Sequence, residues 1–136
     1  MPGAPVDALR TVPLFANLDD EELAQVALLF KTRRFPAGET IVKEGTDAAA
    51  FFLIESGEAA VSVRGSERRS LGPGDHFGEI ALIDEGVRSA TITATTDLAC
   101  YGLTLWEFRP LVVENGEVGW KLLQSVALKL RNAELS

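Results

Sequence analysis

Between residues 33 and 105 the chain is interrupted by glycine every few residues, and this spacing constrains the fold more than any other feature. The glycines that we interpret as turn signals stand at positions 38, 45, 57, 65, 72, 74 and 86. They mark turns, and the segments between them are short enough for strands. In one segment the apolar residues Val61 and Val63 alternate with polar ones, which is the period of a two-faced strand. Seven or eight such strands predict a sandwich or jelly-roll barrel.

Helical patterns flank this β region. Acidic capping chemistry at residues 17–22 predicts a helix that runs to about Phe30, preceded by a short helix and a turn. After Leu105 one helix is predicted, then a break at Asn115-Gly116 and a second helix. The fold class is therefore mainly β with flanking helices, a double-stranded β-helix (jelly-roll) barrel. We predict a single domain over 1–136, with a helical segment 1–31, a barrel 32–105 and C-terminal helices 106–136.

Composition excludes several classes of protein. The chain has 136 residues, 46% of them hydrophobic and 24% charged, which is typical of one globular domain. No stretch approaches the roughly 20 apolar residues of a membrane helix, and the N-terminus lacks the pattern of a secretory signal. The formal net charge of −7 opposes direct binding to nucleic acid. We expect no membrane or nucleic-acid partner and a cytoplasmic location. The single cysteine, Cys100, lies in a strand pattern and is predicted to be a core residue.

Residues 77–91, which contain the segments FGEIAL and RSAT, carry the most specific chemistry. Gly78 permits a turn with positive φ, and the next four residues read as one helical turn. Glu79 can accept a hydrogen bond from a sugar hydroxyl, while the planar guanidinium of Arg88 matches two phosphate oxygens. The pairing suits a ligand that carries both a hydroxyl and a phosphate, such as a ribose 3′,5′-cyclic phosphate.

These segments resemble the phosphate-binding cassette of the cyclic nucleotide-binding domain family, F-G-E-[LI]-A-L followed by P-R-[AST]-A-T. The family includes catabolite activator proteins, protein kinase A regulatory subunits and cyclic-nucleotide-gated channels. Val87 stands where the family usually has proline, which should loosen the preceding loop slightly. The resemblance extends to the turns at residues 36–45, 51–58 and 71–75, and so covers nearly the whole chain.

The resemblance implies a regulatory domain that binds a cyclic nucleotide, with cAMP favoured, cGMP left open, and no other cofactor or metal. Ser89 blurs the choice of base, because in this family a Ser or Thr there can touch phosphate or guanine. We expect an aliphatic wall for the base, with Val61, Val63 and Leu71 as candidates. The candidate ligand-binding residues are Gly78, Glu79, Ile80, Ala81, Arg88, Ser89, Ala90, Val61, Val63 and Leu71.

The last helix raises two open questions. In the family a residue of this helix often closes the base side of the pocket, and Trp120, Leu123 and Arg131 are candidates, although a core role is favoured for Trp120. Apolar residues also recur at alternating spacings of three and four, a seam that either packs on the barrel or forms a dimer. These seam residues are Leu123, Val126, Leu130 and Ala133.

Each of these hypotheses has a simpler structural or functional alternative. Glu79 and Arg88 could form an ordinary surface ion pair in a turn. His76, the only histidine, gives little support to a metal site and is interpreted as a turn residue. An esterase is disfavoured because the chain shows no nucleophile, base or metal cluster. The alternative function is a non-binding domain of the same fold that acts through a homodimer or an effector protein. A longer chain with an output domain is a third possibility.

Overall fold

Two four-stranded antiparallel sheets, with helices at both ends of the chain, make up the described part of the protein. The structure is a computed structural model and describes residues 3–46, 50–84 and 88–135. The strands are β1 (Lys31–Phe35), β2 (Thr40–Val42), β3 (Ala50–Ser56), β4 (Ala59–Val63), β5 (Ser66–Leu71), β6 (His76–Phe77), β7 (Thr91–Ala94) and β8 (Leu98–Thr104). The helices are α1 (Val6–Leu9), α2 (Asp20–Leu29), α3 (Leu105–Glu114) and α4 (Gly116–Leu135), with 3-10 turns at Pro13–Phe15 and Glu79–Leu82.

The strand order confirms the predicted jelly-roll class. One sheet has the order β1-β8-β3-β6 and the other β2-β7-β4-β5, and the pairings are antiparallel. Strands that are distant in sequence, such as β3 and β8, are therefore neighbours. The turn at Gly57 depends on glycine, because its φ is +90° and an added Cβ would lie 2.2 Å from the carbonyl oxygen of Asp97.

Strands β3 and β8 are buried on both faces, and so separate two hydrophobic cores. On β3, Phe51 and Leu53 face a core shared with the helices, whereas Phe52 and Ile54 face the interior between the sheets. β8 divides in the same way, and its Cys100 is fully buried in the inter-sheet core. Burial raises the pKa of the Cys100 thiol to about 12, so this cysteine is a packing residue, as predicted.

Capping residues explain where α2 and α3 begin. Asp19 accepts a hydrogen bond from the backbone N–H of Glu22, and the Glu22 side chain accepts one from the backbone N–H of Asp19. Thr104 and Glu107 form the same reciprocal box at the start of α3. Thr104 is the last residue of β8, so the strand passes directly into α3 at Leu105.

α4 divides into a docked first half and an exposed second half. Val118 and Leu122 are buried in the helix-side core, and Lys121 Nζ lies 2.6 Å from Glu22 Oε1. Asn17 Nδ2 donates to Ser125 Oγ at 3.3 Å. Residues 126–134 are all exposed. Within the described residues, no helix combines the length and the apolar character that spanning a membrane requires.

Two predictions about single residues were wrong. Trp120 is 60% exposed rather than a core residue, because the buried face of α4 is formed by Val118, Leu122 and Ser125. His76 belongs to β6 rather than to a turn: it pairs with Leu53 of β3, and its ring lies 5.7 Å from that of Phe51. A strand of only two residues has too little pattern to be recognised in the sequence.

Phe51→Ala should destabilise the protein by about 3 to 5 kcal/mol, the usual cost of a buried Phe cavity. The Phe51 ring is fully buried and packs edge-on against Phe15 and Phe30, at centroid distances of 6.0 and 5.8 Å. Urea unfolding followed by circular dichroism measures the change. Leu28→Ala is the control, because Leu28 is 70% exposed and its truncation should change stability by less than about 0.5 kcal/mol. Equal effects of the two substitutions would contradict the burial of Phe51 in the helix-side core.

Candidate functional site

A glycine turn at the end of β6 brings the candidate residues together. β6 ends at Phe77, Gly78 has φ +85°, and the 3-10 helix Glu79–Leu82 follows, as predicted. A Cβ at Gly78 would lie 2.6 Å from the carbonyl oxygen of Ala50 and 2.6 Å from Arg88 Nη1. Gly78 is therefore required both by its backbone conformation and by the guanidinium that packs against it.

Glu79 is buried although it is charged, since the residue is only 8% exposed. Its Oε1 lies 3.1 Å from Nζ of Lys129 on α4. Its other oxygen, Oε2, is buried and has no hydrogen-bond partner among the described residues. A buried carboxylate oxygen without a partner is costly, and such an atom in a native protein calls for an explanation.

Arg88 connects the two sheets. Its backbone N–H donates to the carbonyl of Thr46 and its carbonyl accepts from Gly45 N–H, at 3.0 and 2.9 Å, in the turn that follows β2. Its Nη2 donates to the carbonyl of Ala50, the first residue of β3. Desolvation by burial lowers the pKa of the Arg88 guanidinium. Its Nε is buried and unpartnered in the described part of the chain.

Glu79 follows Gly78 in the chain and the Arg88 guanidinium packs against Gly78, but the two side chains do not pair with each other. Among the described residues, the carboxylate is paired with Lys129 and the guanidinium with a backbone carbonyl. The interpretation of an ordinary Glu79–Arg88 surface ion pair is therefore wrong. As far as the described residues go, an acceptor, Glu79 Oε2, and a donor, Arg88 Nε, are left unpaired beside Gly78.

The other cassette residues occupy different environments. Ser89 is exposed, and Ala90 is half-buried against the inter-sheet core. Ile80 and Ala81 belong to the 3-10 helix, but their side chains lie outside what is described. The expected effect of Val87 on the loop 83–86 stays a prediction, because residues 85–87 also lie outside the described residues.

The three aliphatic candidates for the base wall share the sheet of β4 and β5. Val61 and Leu71 are buried in the inter-sheet core, 7% and 5% exposed, whereas Val63 is half-buried at the end of β4. Val61 pairs with Ile92 of β7 on one side and with Arg69 of β5 on the other. A contact between these side chains and a base remains a prediction.

Comparison with known proteins places this arrangement in a family. The model of the cyclic nucleotide-binding domain matches residues 32–115. The chain belongs to the cyclic nucleotide-binding domain family. The match includes β2 to β8 and the whole cassette, and it confirms the resemblance stated from the sequence.

Individual relatives agree with this assignment. The chain is 42% identical over 111 residues to a cAMP-dependent protein kinase regulatory subunit of Emericella nidulans, covering 79% of this chain and 27% of that protein. The N-terminal domain of a Streptomyces coelicolor transcriptional regulator superposes with a TM-score of 0.85 at 31% identity, covering 93% of this chain and 94% of that one. The regulatory domain of Toxoplasma gondii PKA, crystallised with cAMP, gives a TM-score of 0.69 at 32% identity, covering 78% and 42%.

Sequence reasoning missed Lys129 and left the candidate caps undecided. Trp120 and Leu123 line an apolar groove of about 750 Å³ between α3, α4 and the end of the 3-10 helix at Leu82-Ile83. Arg131 is exposed on the second half of α4. Lys129 was missed because the sequence gives no signal for a contact across 50 residues; only the course of α4 brings it to Glu79.

Gly78→Ala should destabilise the domain by more than Gly38→Ala does. Both glycines have positive φ, +85° and +91°, so both substitutions carry a similar backbone penalty of roughly 1 to 2 kcal/mol. The two positions differ in their surroundings. A methyl group added at Gly78 would displace Ala50 or Arg88, whereas one added at Gly38 would meet no atom within 4 Å. Thermal unfolding of the two variants measures the difference. Identical losses would show that the Arg88 guanidinium does not pack against Gly78.

Proposed function

We propose that the domain binds cAMP through the cassette and passes the binding energy to its C-terminal helices. The observation that supports this function best is a complementary pair of buried atoms beside Gly78, Glu79 Oε2 and Arg88 Nε, neither of which has a hydrogen-bond partner among the described residues. The ribose 2′-OH supplies a donor to the carboxylate oxygen. The cyclic phosphate supplies an acceptor to the guanidinium, which can bind it with two parallel hydrogen bonds. A single ligand therefore satisfies both groups.

The preference for cAMP rests on the relatives and on the apolar barrel interior. The Toxoplasma gondii relative was crystallised with cAMP, and the Emericella nidulans relative is the regulatory subunit of a cAMP-dependent kinase. A wall of Val61, Val63 and Leu71 would favour the flat ring of adenine. The exposed hydroxyl of Ser89 leaves room for contact with guanine, so titrations with cAMP and cGMP belong in the same experiment.

The route from the cassette to the last helices runs through packed side chains. Leu82, at the end of the 3-10 helix, is buried in the same core as Phe108 of α3 and Leu122 of α4. When ligand draws the cassette inward, the hinge over residues 105–115 relaxes and α4 moves to cap the pocket. This coupling requires that the ligand prefers one arrangement of α4 over the other.

We assign no catalytic step to the domain. Residues 3–46, 50–84 and 88–135 contain no group of three His, Cys, Asp or Glu side chains that could hold a metal ion. The chain spans about a quarter of the length of the Emericella nidulans protein. We propose that these 136 residues act as one sensor domain.

Arg88→Leu should weaken cAMP binding by about 2 to 5 kcal/mol, the cost of leaving a buried charge partner unpaired. Arg88→Lys should lose less, because lysine keeps the charge but not the planar fork. Isothermal titration measures both affinities, at a temperature where unfolding curves show that each variant is folded. Arg68→Leu is the control, since Arg68 is exposed on β5. Unchanged affinity of Arg88→Leu would show that another group holds the anion.

Glu79→Gln should remove discrimination between cAMP and 2′-deoxy-cAMP. The wild-type domain should bind cAMP more tightly by about tenfold to a hundredfold, the value of a hydrogen bond to a charged acceptor. The variant should bind both ligands with similar affinity, because only the sugar hydroxyl uses the carboxylate. Competition titration with a fluorescent cyclic nucleotide compares the two. If the ratio of affinities is unchanged, Glu79 has a structural task instead.

A second function, interaction with a protein through α4, is favoured by the exposed apolar residues of the predicted seam. Leu123, Val126 and Leu130 are 61%, 37% and 60% exposed, so this seam is not packed on the barrel. A homodimer or an effector protein would cover them. Sedimentation velocity with and without cAMP separates the two functions: an interaction module of the non-binding kind would associate in the same way under both conditions.

A further inference from the structure

We propose that Lys129 is a third charged member of the cyclic nucleotide site, where it positions the Glu79 carboxylate and links α4 to the sugar of the ligand. The proposal rests on the proposed function. Lys129 Nζ lies 3.1 Å from Glu79 Oε1, and its side chain is 56% exposed while that of Glu79 is 10% exposed. A long, half-exposed side chain is thus held against a buried carboxylate, and its ordering has a conformational cost that the contact must offset.

The two oxygens of Glu79 allow Lys129 and the ligand to bind together. Lys129 takes Oε1, and Oε2 is the buried oxygen without a partner among the described residues. A carboxylate accepts several hydrogen bonds at once. The ribose 2′-OH can therefore donate to Oε2 while Lys129 remains on Oε1. Lys129 holds the carboxylate in one orientation, and the ligand meets an acceptor that is already placed.

The charges in the site lead to the same conclusion. The cyclic phosphate carries −1, Glu79 carries −1 and Arg88 carries +1, which leaves −1 in a partly buried site. Lys129 adds +1 and brings the sum to zero. Without it, the Glu79 carboxylate would repel the phosphate with little solvent to screen the interaction. The lysine thus removes a penalty that the pairing of one acid with one arginine leaves behind.

The position of Lys129 in the chain gives this contact a second effect. It lies in the exposed second half of α4, beyond Ser125, where the buried face of the helix ends. The ion pair therefore joins this part of the helix directly to the cassette. The ligand and α4 share one carboxylate, so binding at Oε2 and retention of α4 at Oε1 should favour each other.

Lys129→Met tests the proposal through binding. It should weaken cAMP binding by roughly threefold to tenfold, the range between a half-exposed ion pair and a charge-assisted hydrogen bond. The loss should be smaller for 2′-deoxy-cAMP, absent in a Glu79→Gln background, and largely restored by Lys129→Arg. Lys31→Met is the matched control, because it removes the same charge from another half-exposed pair, Lys31–Glu107 at 2.9 Å. Equal losses for both ligands, an undiminished loss in the Glu79→Gln background, or tighter cAMP binding would each overturn the proposal.

Hydrogen exchange without nucleotide tests the link to α4 separately. Lys129→Met and Glu79→Gln should each accelerate amide exchange over residues 126–134 by about twofold or more, since each removes an ion pair that retains this part of the helix. Lys31→Met should not. If the wild-type domain binds no cyclic nucleotide, the proposed function fails while the exchange result still decides whether Lys129 anchors α4. Unchanged exchange in both variants would refute the anchoring.

Discussion

The burial of β3 on both faces is the constraint on which the rest of the structure depends. Its alternate side chains pack in two separate cores. Phe51 and Leu53 face the helices, and Phe52 and Ile54 face the opposite sheet. β3 also pairs with β8 on one edge and with β6 on the other. The cassette begins at Phe77, the last residue of β6, so β3 positions the candidate site through its pairing with β6.

The sequence predicted the parts of the structure that local chemistry decides. Glycine turns and alternating residues indicated the barrel, and Gly78 followed by four helix-compatible residues indicated the turn and the 3-10 helix. Capping and acidic residues over 17–22 indicated the start of α2, where the structure has the capping box of Asp19 and Glu22. In each case the interacting groups lie within a few residues of one another, so the local sequence pattern predicts the structure.

Contacts that depend on long-range packing were not predictable in this way. Trp120 is large and apolar, which favours burial, yet the rotation of α4 turns Val118 and Leu122 inward instead. Lys129 carries no motif, and its contact with Glu79 exists only because α4 passes over the cassette. The assignment of His76 to a turn was wrong because β6 is a strand only through its pairing with β3; its own two residues carry no strand pattern.

Arg88 also has a structural position of its own, because it is hydrogen-bonded to both sheets. Its main chain is hydrogen-bonded to the turn after β2, in one sheet, and its side chain is hydrogen-bonded to the first residue of β3, in the other. A single residue thus joins the two sheets through hydrogen bonds. Relative sliding of the two sheets would stretch or break one of these hydrogen bonds, so Arg88 opposes that motion. A substitution of Arg88 should therefore loosen the attachment between the two sheets as well as change the candidate site.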